Sequence, residues 1–381
     1  MTTIQSGIDI PRVEFRKGIY YLILDGKTPF ERGYQHGAAL EFPIKKALRQ
    51  FRIWVRANAG LEEPENMIQE FATNTPYLES ARAQVPDLYE EMQGISDGAG
   101  VDLNELFVYQ SFDEFFMFLF TSGVLESGTT GHCTTAGVFG RPGKPNYVGH
   151  NNDIPTYHEE LVTVLHIKYP GSDLEILQSA FAGQIAQNGV NNRGVAVGIN
   201  TLANLPGGDG LPVSFNVRKI LECSNVDEAV SYLKNAHFAQ AMNYMIGDRE
   251  RVASVETWGN SAHVLDVYDA NYAVHTNHSL GKDTPKTFEM TAETGGGSYG
   301  HTTDRLELSE KLMSEDTGSV TRESFQEMFK TRPILVYPGK PTGRTLMQMT
   351  AEIPKQGSPV LYLTPDSPNM YNHVSFTFNH S

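Results

Sequence analysis

Only two cysteines, Cys133 and Cys223, occur in 381 residues, too few for a disulfide framework, and both suit a reducing compartment. A cytoplasmic location is therefore the expectation. Positive charge is scarce as well: 30 lysines and arginines stand against 45 acidic residues, and the net −15 leaves no basic stripe to neutralise phosphates. Nucleic acid is not an expected partner. Apolar runs are short, the longest at 115–125 being about half a membrane span and following Asp113 and Glu114, so no membrane span is expected. The first residues carry no basic region leading into an apolar stretch, and no secretory signal is visible. Neither G-x-x-x-x-G-K-[ST] nor a strand-linked G-x-G-x-x-G is present, which leaves nucleotide phosphate binding without local support. What remains is a globular composition, 40% hydrophobic and 20% charged, in a chain longer than most single domains.

The periodicity divides the chain. From Thr28 to about Thr121 it is mainly helical, beginning with Thr28-Pro29 as cap and first-turn pair, and Pro43 predicts a kink or break. A second helical stretch covers 65–93, a Gly-rich turn follows at 94–100, and a third helix begins near Asn104. Strands are hard to find in this part. At Cys133 the pattern changes: 134–139 and 147–150 flank a Pro/Gly turn like a hairpin, and 161–167, 174–178 and 195–199 continue as strands. Helices are predicted at 214–223 and 226–235, short strands at 244–246, 252–256, 263–267 and 273–276, and a further helix at 303–313. The loops at 206–212 and 295–297 are too short to link separate domains.

Cys133 follows a small-residue loop at 127–131 and opens a β-like run, the place for a cleavable bond if the nucleophile must become a chain terminus. A free α-amine has a reference pKa near 8, so an N-terminal cysteine would carry its own general base, and no partner histidine is required. Taken alone, a lone cysteine is a small buried hydrophobe. Gly94-Ile95-Ser96-Asp97-Gly98 fits G-x-S-x-G, but helical rather than strand character precedes it, so it reads as accidental. His150, Asp153, His275 and His278 suggest a metal set by residue type, yet H-x-x-H within a strand sends its two histidines to opposite faces.

Gly131-His132-Cys133-Thr134-Thr135-Ala136 resembles the processing site of the acyl-coenzyme A:6-aminopenicillanate acyltransferase family, whose members mature by cleavage before cysteine. The resemblance extends through Asn152-Asp153, Gly189-Val190-Asn191, Asn200, His275-Thr276-Asn277-His278 and Arg305, and upstream through Glu31-Arg32-Gly33, His36-Gly37 and 91–100. It implies the α+β, four-layer αββα sandwich of N-terminal-nucleophile hydrolases. It further implies a helix-rich small chain, 1–132, that stays bound to a catalytic chain, 133–381, as a heterodimer of self-cleaved chains. By the same resemblance His132 and Cys133 flank the cleavage site, Cys133 is the nucleophile, Asp153 orients its amine, and Asn277 donates to the oxyanion. Asn200, Arg305 and Thr135 are supporting candidates. On residue type alone, Asp153 reads as a turn or capping residue, Asn200 as a strand-end residue and Arg305 as a helix-surface charge. The sequence departs from the family pattern at His132, where a smaller or acidic residue is expected, and at Ile154, where an aromatic is.

The expected activity is cysteine amidohydrolysis of a small N-acyl amide through a thioester acyl-enzyme, with no cofactor. Transfer of the acyl group to a small amine, with a coenzyme A thioester as a donor, is the alternative. A metal-dependent hydrolase and a non-catalytic family member are the others.

Overall fold

The computed structural model describes residues 7–124, 132–202, 205–265, 271–282, 284, 300–315, 317–337 and 343–378. The loops expected at 127–131 and 295–297, and the end of the strand expected at 263–267, lie outside the described residues. Two strands open the chain, β1 (Glu14–Arg16) and β2 (Ile19–Leu24), ahead of the helical part and not anticipated from the sequence. Ile19-Tyr20-Tyr21-Leu22-Ile23-Leu24 is a continuous apolar run covered on both faces, so it shows no alternation to read.

Seven helices follow: α1 (Pro29–Ala39), α2 (Glu41–Ala59), α3 (Pro64–Asn74), α4 (Tyr77–Gln84), α5 (Pro86–Ala99), α6 (Leu103–Gln110) and α7 (Phe112–Thr121). Thr28 caps α1 as expected, its hydroxyl oxygen accepting the Glu31 N–H at 3.1 Å. The break expected at Pro43 falls at Leu40, and Pro43 sits in the first turn of α2, where a missing N–H costs nothing. The helical stretch expected over 65–93 is divided among three helices, with Pro76 capping α4 and Pro86 starting α5. The turn expected at 94–100 is instead the last part of α5, ended by left-handed Gly100. Its glycines serve packing: a Cβ on Gly94 would lie 2.2 Å from the Phe30 carbonyl oxygen, and one on Gly33 1.8 Å from that of Glu91. Helices α1 and α5 therefore meet backbone to backbone.

The remaining elements are β3 (His132–Val138), β4 (Asn146–Ile154), β5 (Val162–Lys168), β6 (Glu175–Phe181), β7 (Asn188–Asn191), β8 (Ala196–Thr201), α8 (Val213–Glu222), α9 (Val226–Asn235), β9 (Met242–Gly247), β10 (Val252–Trp258), β11 (Ser261–Leu265), β12 (Tyr272–His275), α10 (Gly300–Glu315), α11 (Arg322–Met328), β13 (Arg344–Ile353), β14 (Val360–Leu363) and β15 (Val374–Thr377). Among the described residues these strands form two sheets. The larger runs β1-β2-β5-β6-β7-β8-β9-β10-β11, and the smaller runs β12-β3-β4-β13-β14-β15. Every pairing is antiparallel except β2 with β5, so the N-terminal segment completes the edge of a sheet built by the rest of the chain.

The sheets face each other closely. A Cβ on Gly198 of β8 would stand 3.1 Å from side-chain atoms of both His150 on β4 and Thr135 on β3. Helices α8 and α9 cover the outer face of the larger sheet, and α10 and α11 that of the smaller, which gives the expected αββα order. The N-terminal helices dock beside α8 through the Phe107–Phe215 ring pair and the Glu91–Arg218 ion pair. No helix among the described residues is long and apolar enough to cross a membrane.

Candidate active site

Cys133 is the second residue of β3, where alternation turns its side chain into the space between the sheets and Thr134 to the outer face. Strand β4 runs antiparallel beside it, with Asn152 opposite Cys133 and Asp153 opposite His132. On the other side β12 pairs with β3 until His275 meets Thr135. Continuing that register by two residues sets Asn277 beside Cys133. The separation of residues 133, 153 and 277 in sequence is thus closed by three neighbouring strands.

Asn277 Oδ1 accepts the Cys133 backbone N–H at 2.9 Å and an Arg305 Nη2 hydrogen bond at 2.8 Å, while its Nδ2 donates to the Thr201 carbonyl at 3.1 Å. Two donors on one side and a carbonyl on the other fix the amide's orientation. Arg305 is fully buried rather than on a helix surface. From α10 its Nη1 donates to the Cys133 carbonyl at 2.6 Å and to Thr134 Oγ1 at 2.9 Å, so one guanidinium holds the Cys133 carbonyl directly and its N–H through Asn277.

Asp153 is 2% exposed. Its Oδ1 accepts the Thr345 hydroxyl, and its Oδ2 has no hydrogen-bond partner among the described residues; the same is true of Asn152 Nδ2. Burial pushes the Asp153 carboxyl up to about 7, against the pull of Arg305 and Thr345. Burial also pushes the Cys133 thiol far above its ordinary value, the Asp153 charge adding to it and Arg305 opposing it. The thiol is therefore held in its protonated form at neutral pH.

The other candidates stand one step away. Thr135 donates its hydroxyl to Asn200 Oδ1 at 2.6 Å, which also accepts Asn243 Nδ2 at 3.0 Å, and Asn243 Oδ1 accepts Ser254 Oγ at 2.7 Å. This ladder crosses between the sheets beneath Cys133. The four residues weighed as a metal set do not converge: among the described residues no group of three or more His, Cys, Asp or Glu is arranged to hold an ion. His275 turns one ring nitrogen to Glu256 and the other to the Thr276 carbonyl, each at 2.9 Å. Burial resists ionisation of Glu256, but the His275 hydrogen bond and the Leu280 and Gly281 N–H groups hold it below the usual carboxylate range. That pair braces the turn carrying Asn277. Ser96 of the G-x-S-x-G match donates to the Val101 carbonyl at the end of α5, far from any strand-to-helix elbow.

Cys133 opens onto a cavity of about 10 Å³ lined among others by Asp113, Asn152, Asp153, Gln187 and Thr201. In the uncut chain that is room for about one water. Asp113 is the residue that sequence reasoning missed. Burial raises its carboxyl to about 6, a hydrogen bond from Thr201 opposing, and its neighbour Glu114 is raised to about 8 by burial and then by Asp113. The signal was present as two adjacent acids opening an otherwise apolar run, Phe112-Asp113-Glu114-Phe115-Phe116.

With this geometry in place, the chain can be compared with known proteins. The sequence model of the family described as acyl-coenzyme A:6-aminopenicillanic acid acyl-transferase matches residues 140–352, a span that includes Asp153, Asn200, Asn277 and Arg305 and begins after Cys133. The 40 kDa form of acyl-coenzyme A:6-aminopenicillanic-acid-acyltransferase from Emericella nidulans is 30% identical over 270 residues, 69% of this chain and 70% of that protein. Among solved structures, the Caenorhabditis elegans ortholog of N-acylethanolamine-hydrolyzing acid amidase superposes with a TM-score of 0.45 at 15% identity, covering 65% of this chain and all of that one. A variant of conjugated bile acid hydrolase from Clostridium perfringens does so with a TM-score of 0.42 at 14% identity, covering 65% and 97%.

Proposed function

We propose, for a chain that belongs to the acyl-coenzyme A:6-aminopenicillanic acid acyl-transferase family, that it cuts itself between His132 and Cys133 and then uses Cys133 to take acyl groups from small amides. The observation that carries this reading is the double grip on Cys133: its N–H is held by Asn277 and its carbonyl by Arg305, with the Asp153 carboxyl one strand away. A merely structural buried cysteine needs no such arrangement around its peptide nitrogen.

In self-cleavage, Cys133 Sγ bonds to the His132 carbonyl carbon and the carbon–nitrogen bond breaks. The thiol proton ends on the Cys133 nitrogen, leaving a thioester and a free α-amine. Water then adds across the thioester, which restores the thiol and frees the His132 carboxylate. Asp153, raised to about 7, is matched to take and return a proton near neutral pH. In turnover the α-amine accepts the thiol proton as sulfur attacks a substrate amide, and the proton passes to the departing amine. One Nδ2 hydrogen of Asn277 is committed to Thr201 and the second remains for the oxyanion, a donation worth about 3 kcal/mol of barrier. Water as second reactant gives hydrolysis. Acyl transfer from a coenzyme A thioester to a small amine is the second reading, favoured by the name of the Emericella relative.

The small chain, 1–132, is proposed to stay bound to 133–381 after the cut. Support comes from β2, which is a strand of the larger sheet, and from the Glu91–Arg218 pair joining α5 to α8. A cytoplasmic location belongs to the same proposal and rests on the two unpaired cysteines. The test uses a Cys223→Ser background, which leaves Cys133 as the sole thiol. Incubation with a panel of N-acyl amides should add one acyl mass to the large fragment, removable by hydroxylamine, and iodoacetamide should abolish amine release. Amine release that survives alkylation would rule out the thiol as nucleophile.

A further inference from the structure

Helix α7 belongs to the segment before the cut, yet it reaches the nucleophile through a relay of three hydrogen bonds. Asp113 Oδ1 accepts the Thr201 hydroxyl at 2.7 Å, the Thr201 carbonyl accepts Asn277 Nδ2 at 3.1 Å, and Asn277 Oδ1 accepts the Cys133 N–H at 2.9 Å. Asp113 is 7% exposed and Thr201 6%, and both line the cavity onto which Cys133 opens. The next residue, Glu114, accepts the Val213 N–H at 2.9 Å, so two consecutive acids seat α7 against the end of β8 and the start of α8. Burying two carboxyls in an apolar helix is costly, and the hydrogen bonds from Thr201 and Val213 offset part of that cost.

We propose that Asp113 is a positioning residue for Cys133: a seated α7 fixes Thr201, Thr201 fixes the Asn277 amide, and that amide orients the nitrogen destined to be the nucleophile's α-amine. The inference rests on the self-cleavage reading and adds a role for the N-terminal segment within the site. The relay explains why the amide stays put. A flip of Asn277 would set its NH2 against two donors, Cys133 N–H and Arg305, and its oxygen against the Thr201 carbonyl. If Thr201 is released, the last of these penalties relaxes. Docking of α7 is thereby coupled to competence for the cut.

The experiment follows conversion of freshly folded chain to its two fragments by denaturing intact mass, in wild type, Asp113→Ala, Thr201→Val and Asp113→Asn, with melting temperatures measured alongside. Asp113→Ala and Thr201→Val should mature about tenfold or more slowly, as expected for a lost buried hydrogen bond that orients a reacting group. Asp113→Asn keeps a carbonyl to accept the Thr201 hydroxyl and should recover most of the rate. A merely structural role would lower the melting temperature without this pattern of rescue. If Asp113→Ala does not fold, Thr201→Val decides, since it removes one hydroxyl from a side chain of nearly unchanged shape. Thr201→Val or folded Asp113→Ala cutting at the wild-type rate, or Asp113→Asn as slow as Asp113→Ala, would overturn the relay while leaving the self-cleavage reading intact. A wild type that never cuts would overturn both.

Discussion

Replacing Glu91 by glutamine keeps the shape of a buried side chain and removes its charge. Glu91 on α5 is 1% exposed and Arg218 on α8 is fully buried, joined by two hydrogen bonds of 2.9 and 3.1 Å. Arg218 also donates to Gln178 at 2.6 Å and to the Ile185 carbonyl at 3.0 Å, and Arg32 lies 3.9 Å from the same carboxylate. Burial opposes the charge on Arg218, but Glu91, by attraction and hydrogen bonding, together with Tyr169 and Glu222 raises its basicity above the ordinary value. Glu91→Gln leaves that guanidinium uncompensated, and removing one partner of a buried pair costs about 3–5 kcal/mol. For 381 residues melting as one unit, an unfolding entropy of about 0.8 kcal/mol/K converts this to a fall of about 4–6 °C. The assay is differential scanning calorimetry in a Cys133→Ala background, so that cleavage does not intervene. A fall below about 1 °C would refute the argument, because the pair would then not be a principal join between the parts before and after residue 133.

Three other outcomes can be measured. Gly33→Ala places a methyl 1.8 Å from the Glu91 carbonyl oxygen and should destabilise the chain by about 1–3 kcal/mol or more through overpacking; denaturant midpoints within about 0.5 kcal/mol of the parent would contradict the close α1–α5 approach. Arg305→Lys can replace one of the three contacts to Cys133, Thr134 and Asn277, and should slow self-cleavage at least about tenfold in a time course; an unchanged rate would mean that the grip is incidental. Glu114 is raised to about 8 from an ordinary 4.5, so its contribution is complete below about 4.5 and is lost as pH climbs to about 8, where the folded chain must at last ionise it. Glu114→Gln should therefore gain melting temperature relative to its parent between pH 4.5 and 8, and a difference flat across that range would contradict the assignment.

Much of the site was legible because the chemistry sits in short runs. Cys133 at the head of a strand, Asp153 about twenty residues on and Asn277 in a distinctive tetrapeptide could each be singled out in the sequence. Their convergence could not, because it depends on β12 pairing with one edge of β3 and β4 with the other. Strands whose faces are both covered, such as β2 and the long β13, escaped recognition because they lack alternation. Glycines at 94 and 98 read as a turn because composition does not distinguish a loop from two helices in backbone contact. Arg305 could have been a surface charge until burial and three partners decided otherwise. Asp113 was seen only as a mark against a membrane span, since its partner Thr201 is 88 residues away.

The central claim is that the bond before Cys133 is cut by Cys133 itself. Intact mass under denaturing conditions, on wild type and Cys133→Ala incubated identically, tests it most directly. The account predicts two fragments in wild type alone, one of 132 residues and one holding the remaining 249 of 381, with the larger beginning at Cys133. A wild-type chain that is folded, long incubated and still whole, or a Cys133→Ala chain cut at the same place, would contradict it.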